Sequence, residues 1–429
     1  MSAEVKLSTR NALRVLRRGA FRRYIIGSAI SDTGTWMQVM AQGYVMSTLT
    51  NKAIMLGMAN LAAGLPMLLL TMAGGSAADR FDKRKILLTT QYVQIALAIS
   101  IGLLIMSGKL QIWHILAFAV VLGISNSFEM PTLNAFVPEL VTRDEIQSAI
   151  AVDRAVFHAS RVVGPAFAGI LISVWGAASA FFANAVSFVA LIIALFMIPP
   201  RPRGTAEEEQ KRSSGIKEGF RYVAKDKPSL AMIGLIAATT VFIFPIITVM
   251  MPLYVRLVLG LGADRLGVLM GASAIGSVIG AIFLIGIPRT KRVPFMMVNV
   301  GIVACAIFGL SRAPSFYVAM ALLIFNSLGL AMNFGLANTI VQERAPDYLR
   351  GRVSAVFLLS FVGLMPVAGL GITGLSDLIG MPWALAIAAV CYAVIALIVL
   401  ARVRRECSRP AVPEKPAAET PAPPMAAAV

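Results

Sequence analysis

Long apolar stretches, each near the length of a membrane-crossing helix, follow one another along almost the whole chain, separated by short clusters of charge, glycine and proline. About 20 residues at 1.5 Å rise cross a hydrocarbon core of roughly 30 Å. Twelve such runs are drawn, at 24–48, 53–78, 86–107, 111–137, 146–174, 177–198, 228–257, 265–287, 293–311, 314–338, 350–376 and 381–401. The runs are continuous, whereas the strands of a membrane barrel alternate apolar and polar positions. Helices are then the remaining way to satisfy the backbone in lipid.

One long hydrophilic interruption, Pro199 to Lys227, divides the runs six and six. The predicted organisation is a basic amino-terminal segment (1–23), a six-helix unit (24–198), a linker (199–227), a second six-helix unit (228–403) and a Pro- and Ala-rich tail (404–429) without a packing pattern, expected to be disordered. Within the linker, Ile216, Phe220 and Val223 share one helical face, as in an amphipathic helix lying along the membrane surface; a plain solvated linker fits the same residues. The halves echo each other. Tyr44-Val45 with Leu56-Gly57 recurs as Tyr254-Val255 with Leu266-Gly267, 210 residues on, and the Asn134 to Glu139 segment recurs as Asn338 to Glu343, 204 residues on. Two pseudo-symmetric six-helix bundles, an all-α membrane protein, are the expected architecture.

Composition agrees: 58% of the 429 residues are hydrophobic and 14% charged, with a mean hydropathy of +0.80. A net charge of +17 would suit nucleic acid, but the Lys and Arg residues fall into alternate connections. Only Lys52, Lys109, Arg256, Arg265 and Arg312 lie in the other set. This positive-inside pattern predicts that both termini are cytoplasmic and argues against a nucleic-acid partner. Residues 1–23 are basic and lack an apolar core of their own, so no cleavable leader is expected. Cys305, Cys391 and Cys407 have no metal-ligand or disulfide spacing, and no Gly-x-x-x-x-Gly-Lys-Ser/Thr loop occurs. Neither a metal, nor a cofactor, nor an enzymatic activity is predicted.

Ionisable groups near the middle of a membrane helix cost around 2.5–3.5 kcal/mol on insertion scales, which makes each a functional candidate. Asp32 lies about eight residues into the first run and Glu129 about eight before the end of the fourth. Asp153, Arg154, His158 and Arg161 share a broad face of the fifth. Asp32 and Glu129 are the leading proton-exchange candidates, with His158 as an auxiliary. The competing reading makes Asp153 or Glu129 a structural ion-pair partner of Arg154 or Arg161. Gly164, Pro165 and Gly169 predict a bend or a close contact in the fifth run. Trp36, Gln38, Phe242, Asn326 and Asn333 are candidate cavity residues; a wall ionisable on one side and neutral on the other suits a bulky, partly apolar solute.

Four segments carry a family resemblance: the turn Gly75 to Lys85, Met130 to Val141, Arg161 to Gly169, and Pro346 to Ser354. Over about residues 20–403 the chain resembles the major facilitator superfamily, in the branch that includes enterobactin-type siderophore exporters and macrolide efflux proteins. The resemblance implies that the first and fourth helices flank one cavity. It also implies a cytoplasmic gate in which Gly75, Asp79, Arg80, Lys83 and Arg84 meet Arg350, Gly351 and Arg352 at the start of the eleventh helix while the cavity faces outward. Asp82 and Lys83 depart from the Gly and Arg common in relatives, and Ala151, Ser160 and Ala168 depart from the Gly pattern of the antiporter motif around Gly164-Pro165. The function so implied is proton-coupled export of an amphipathic small molecule, a drug or a siderophore, by a monomer in the bacterial inner membrane, with the small molecule, protons and the lipid bilayer as its partners. Uptake or facilitated diffusion on the same fold, and a non-transporting sensor or scaffold, are the alternatives.

Overall fold

The computed structural model describes residues 14–199, 216–284 and 286–407, almost wholly as helix. The amino-terminal half forms α1 (Gly19–Leu49), α2 (Ala53–Arg80), α3 (Lys83–Met106), α4 (Ile112–Phe136), α5 (Ile146–Trp175) and α6 (Ala178–Met197). A short helix, α7 (Ile216–Lys225), precedes the second half: α8 (Lys227–Phe242), α9 (Met251–Leu257), α10 (Ala263–Phe283), α11 (Arg292–Leu310), α12 (Phe316–Arg344), α13 (Arg350–Val362), α14 (Met365–Ile379) and α15 (Met381–Cys407). Among the described residues, eleven helical spans are long and apolar enough to cross a membrane. At 31 residues α1 has the length of a twelfth, but Arg22, Arg23, Asp32 and Gln38 make it more polar. Most of the predicted linker and the tail from 408 onward lie outside the described residues.

Two of the predicted spans are broken. The seventh divides into α8 and α9 at Pro245, Pro252 and the π-helical turn Ile246–Met250. The eleventh divides into α13 and α14 at Gly363, Leu364 and Pro366. Proline removes a backbone donor and crowds the preceding turn, so the chain bends there. A few helix starts carry a side-chain cap of their own, from Asp82, Gln111, Asp226 and Ser315. Asp82 accepts from the backbone N–H of Arg84 at 2.8 Å and of Lys85 at 3.4 Å and so starts α3.

The two halves pack by the same rules. In the first, α2 lies on α4, α3 on α4 and α6, and α1 on α6; in the second, α10 lies on α12, α11 on α12 and α15, and α8 on α15. The internal repeats occupy matching places in this scheme. Glu139 pairs with Lys83 at the start of α3 (2.8 Å), and Glu343, its repeat mate, pairs with Arg292 at the start of α11 (2.8 Å). Gly57 and Gly267 each sit where one bundle meets the other, Gly57 against Gly369 and Thr373 of α14, and Gly267 against Pro165 and Gly169 of α5. A side chain at either would collide with backbone or side-chain atoms of the other bundle, and glycine permits that approach.

These seams, α2 with α14 and α5 with α10, close the end of the molecule opposite the basic connections. Polar clasps reinforce it. The start of α2 has no cap of its own, and the Asp377 carboxylate at the end of α14 supplies one, accepting from Ala53 N–H at 2.7 Å and Ile54 N–H at 2.9 Å. Arg256 donates to Thr50 O at 3.4 Å and to the Asn51 side chain, and Asn60 donates to Met365 O at 3.3 Å. The close helix pairs between the bundles are α2 with α14, α5 with α10 and α1 with α9, none of them involving α13, and at the basic end a Cβ on Gly75 or on Gly351 would have nothing within 4 Å among the described residues. The structure is closed at the far end and open at the basic end.

The linker helix α7 docks on the basic end of the second bundle. Gly219 lies so close to α13 that a Cβ would stand 2.9 Å from Arg352 O, Val223 is buried, Glu218 pairs with Arg352, and the Tyr222 hydroxyl donates to Arg344 O at 2.6 Å. The expected helix is present, and it is docked on protein. Phe220 is exposed while Val223 is covered, because the covered face is set by protein contact; the Ile216 side chain lies outside the described residues. Asp226, which caps α8 through Ser229 N–H, also receives both arms of the Arg344 guanidinium at 2.8 and 2.6 Å. Burial pushes its carboxyl up, but the guanidinium and the Ser229 bonds outweigh this and hold it below the ordinary range.

Candidate functional site

Side chains of α1, α4 and α5 build the site. The Thr33 hydroxyl donates to Ala29 O at 2.7 Å, and Ser160 of α5 donates to the same carbonyl at 3.3 Å, with the two hydroxyls 3.2 Å apart. One turn further along α5, a Cβ on Gly164 would come within 2.7 Å of both Thr33 O and Trp36 Cβ. The motif Gly164-Pro165-Gly169 thus makes two close contacts, Gly164 with α1 and Gly169 with the start of α10.

On this platform sit three carboxyl groups. Asp32 is half-buried and accepts from Ser28 Oγ at 3.0 Å. Glu129 is half-buried and takes the side-chain amide of Gln91 at 2.7 Å on one oxygen and that of Gln94 on the other; Gln94 also donates to Ser125 at 3.3 Å. Asp153 accepts from the buried Tyr24 hydroxyl at 3.1 Å. Among the described residues none of the three carboxylates forms an ion pair with Arg154 or Arg161. Their hydrogen-bond donors in this structure are the neutral side chains of Ser28, Gln91, Gln94 and Tyr24. His158 is exposed, edge-on to Phe157 at 5.8 Å.

Of the expected cavity residues, Trp36 stands at this wall, edge-on to Phe157 at 5.8 Å. Gln38, Asn326 and Asn333 are corrections. Gln38 is buried and accepts from Asn184 of α6 at 2.8 Å, so it joins two helices of one bundle. Asn326 and Asn333 are fully buried within the second bundle, Asn333 beside the Tyr392 hydroxyl. Phe242 is half-buried at the end of α8, packed against the main core. The aromatic cluster of this bundle lies elsewhere: Phe244 against Phe361 (4.6 Å between ring centres), and Phe334 against Phe357 (5.2 Å) and Phe361 (5.4 Å). Near the basic end, Asn338, Thr339, Gln342, Glu343 and Arg350 line a cavity of about 330 Å³.

The expected gate residues lie at the ends of α2, α3 and α13. Asp79 and Arg80 are exposed at the end of α2, Lys83 pairs with Glu139, and Arg84 donates to Ile198 O at 3.2 Å and lies 5.2 Å over the Phe196 ring. Across from them, Arg350 pairs with Asp347 at 2.9 Å and Arg352 with Glu218. The partners missed by sequence reading are Tyr24, Ser28, Gln91 and Gln94. Only the two glutamines left a trace, two polar residues three positions apart inside an apolar run. Among the described residues no group of three His, Cys, Asp or Glu side chains is placed to hold a metal ion.

Two pseudo-symmetric six-helix bundles closed at one end are the fold of the major facilitator transporters. A bacterial homologue of the iron transporter ferroportin, solved in an inward-facing state, shares it with a TM-score of 0.68 and 16% identity, covering 92% of this chain and 99% of that one. The family described as transmembrane secretion effector matches residues 10–429, and the chain belongs to it. Its relatives include a staphyloferrin A transporter of Staphylococcus aureus, 24% identical over 81% of this chain and 87% of that protein. Another is macrolide efflux protein A of Streptococcus pyogenes, 23% identical over 76% of this chain and 82% of that protein. The protein is thus a membrane transporter and not an enzyme.

Proposed function

We propose that the protein exports an amphipathic small molecule, a drug or a siderophore, across the bacterial inner membrane in exchange for protons, acting as a monomer by alternating access. The basic end faces the cytoplasm, as the positive-inside pattern demands, and both termini lie there. One observation carries this reading: Asp32 and Glu129 lie within apolar helical spans and are held by neutral donors, in a molecule whose bundles are clasped at the far end. Solute enters from the basic end while these carboxyls are protonated and hand their protons to the cytoplasm. The bundles then rock, the far end opens, and protons arriving there displace the solute. In that state Gly75 and Asp79 approach Gly351 and Arg352; Lys83 and Arg84 anchor the turn to its own bundle. The names of the relatives, a siderophore transporter and an efflux protein, support export of such solutes.

Cells overproducing the protein and preloaded with a panel of amphipathic dyes test the direction. Faster loss of at least one dye than from control cells is expected. Faster entry of the same dye contradicts export.

A further inference from the structure

Arg161 occupies the middle of α5, fifteen residues from its first residue, Ile146, and fourteen from its last, Trp175. A guanidinium at that depth needs a partner, since a charge near a helix centre costs around 2.5–3.5 kcal/mol on insertion scales. Among the described residues Arg161 has neither an ion pair nor a hydrogen bond; its one contact of this kind is the Trp36 ring, 5.2 Å away. The contact is a built one. The tight α1–α5 packing at Gly164, with Thr33 and Ser160 sharing the Ala29 carbonyl, sets the Trp36 ring beside Arg161, and Phe157 packs edge-on against the same ring. Arg161 is half-buried, so its donors are not sealed in.

A second observation is independent of the first. Among the described residues the buried indole N–H of Trp36 has no acceptor. Two side chains in contact, one cationic and one neutral, thus present donors without an acceptor at mid-membrane depth. Stacking on an aromatic face leaves the edge of a guanidinium free, and that edge matches the two oxygens of a carboxylate. The nearby acids do not fill this role: Asp153 takes Tyr24, Asp32 takes Ser28 and Glu129 takes Gln91 and Gln94.

We propose that Arg161 and Trp36 form the recognition site for an anionic, carboxylate-type group on the transported molecule, the rest of which is apolar and lies against the aromatic side chains. This deepens the export reading and rests on it for the word transported. The site also assigns the charge a use in the cycle: the bound anion neutralises Arg161 while the solute crosses, and the empty carrier returns with Arg161 stacked on Trp36.

The test uses the full-length protein in detergent and two probes with one aromatic body, 1-pyrenebutyrate and 1-pyrenebutanol, titrated by energy transfer from tryptophan at neutral pH. The wild type is expected to bind the carboxylate about tenfold more tightly than the alcohol, the effect of roughly one charge-assisted hydrogen-bonded pair. Arg161→Gln removes this preference while still binding the alcohol, which also reports that the variant is folded. Arg161→Lys retains part of the preference, because the charge survives and the fork does not. Trp36→Phe, read with the remaining tryptophans, keeps a stacking ring and weakens the carboxylate by severalfold. Absence of a preference in the wild type, or an undiminished preference in Arg161→Gln, overturns the site. Binding with these preferences but without export from cells leaves the site standing and removes the export reading instead.

Discussion

Glu129 is held by two glutamines, and this choice of partner decides what the residue can do. An arginine would hold the carboxylate as a fixed ion pair; amide donors bind it without supplying a counter-charge, which is the arrangement the proposed proton exchange needs. The depth of Glu129 was legible in the sequence as a charge inside an apolar run. Its partners were not, because Gln91 and Gln94 lie 38 and 35 residues away and only packing of α3 on α4 brings them there. The same applies to Tyr24 and Asp153, 129 residues apart. Conversely, Asn326 and Asn333 looked like cavity residues from composition alone, and the structure turns them inward. A prediction follows at this scale. Gln94→Leu leaves one oxygen of Glu129 without its donor and should lower stability by about 1–3 kcal/mol, the cost of an unsatisfied buried group, seen as earlier thermal unfolding of the purified protein.

Among the elements, the helical runs were readable because hydrocarbon length and continuous apolar composition leave little else for the chain to do. Boundaries moved modestly: α1 starts at Gly19 rather than 24, and α12 runs to Arg344 rather than 338. The breaks in the seventh and eleventh spans were invisible to hydropathy, since the residues around Pro245, Pro252, Gly363 and Pro366 are as apolar as the rest. The linker helix was legible as amphipathic, but its docking was not, because it depends on Gly219 meeting a carbonyl of α13 far along the chain. The seams give a second prediction. Gly57→Leu inserts a side chain against Gly369, Leu370 and Thr373 and should keep the far end from closing. A cysteine placed at Gly75, open in the present conformation, should then react severalfold more slowly with a water-soluble maleimide than in the Gly57 background, as the basic end closes in compensation.

For the whole molecule, the internal repeat is the thread from sequence to mechanism. Residues 210 apart, Gly57 and Gly267, sit at the two seams, and residues 204 apart, Glu139 and Glu343, brace the third and ninth spans of the chain. Two bundles joined at seams near one end can exchange which end is closed by rigid-body rocking. Alternating access then couples solute to protons if the same carboxyls serve both. Inverted membrane vesicles with an acidified lumen test this most directly, using a dye that overproducing cells expel. Wild-type vesicles should accumulate the dye in the lumen while releasing protons, and a protonophore should abolish both. Asp32→Asn and Glu129→Gln should each reduce gradient-driven accumulation by roughly tenfold or more, the effect of about 1.4 kcal/mol. Undiminished gradient-driven accumulation in both variants would contradict the account.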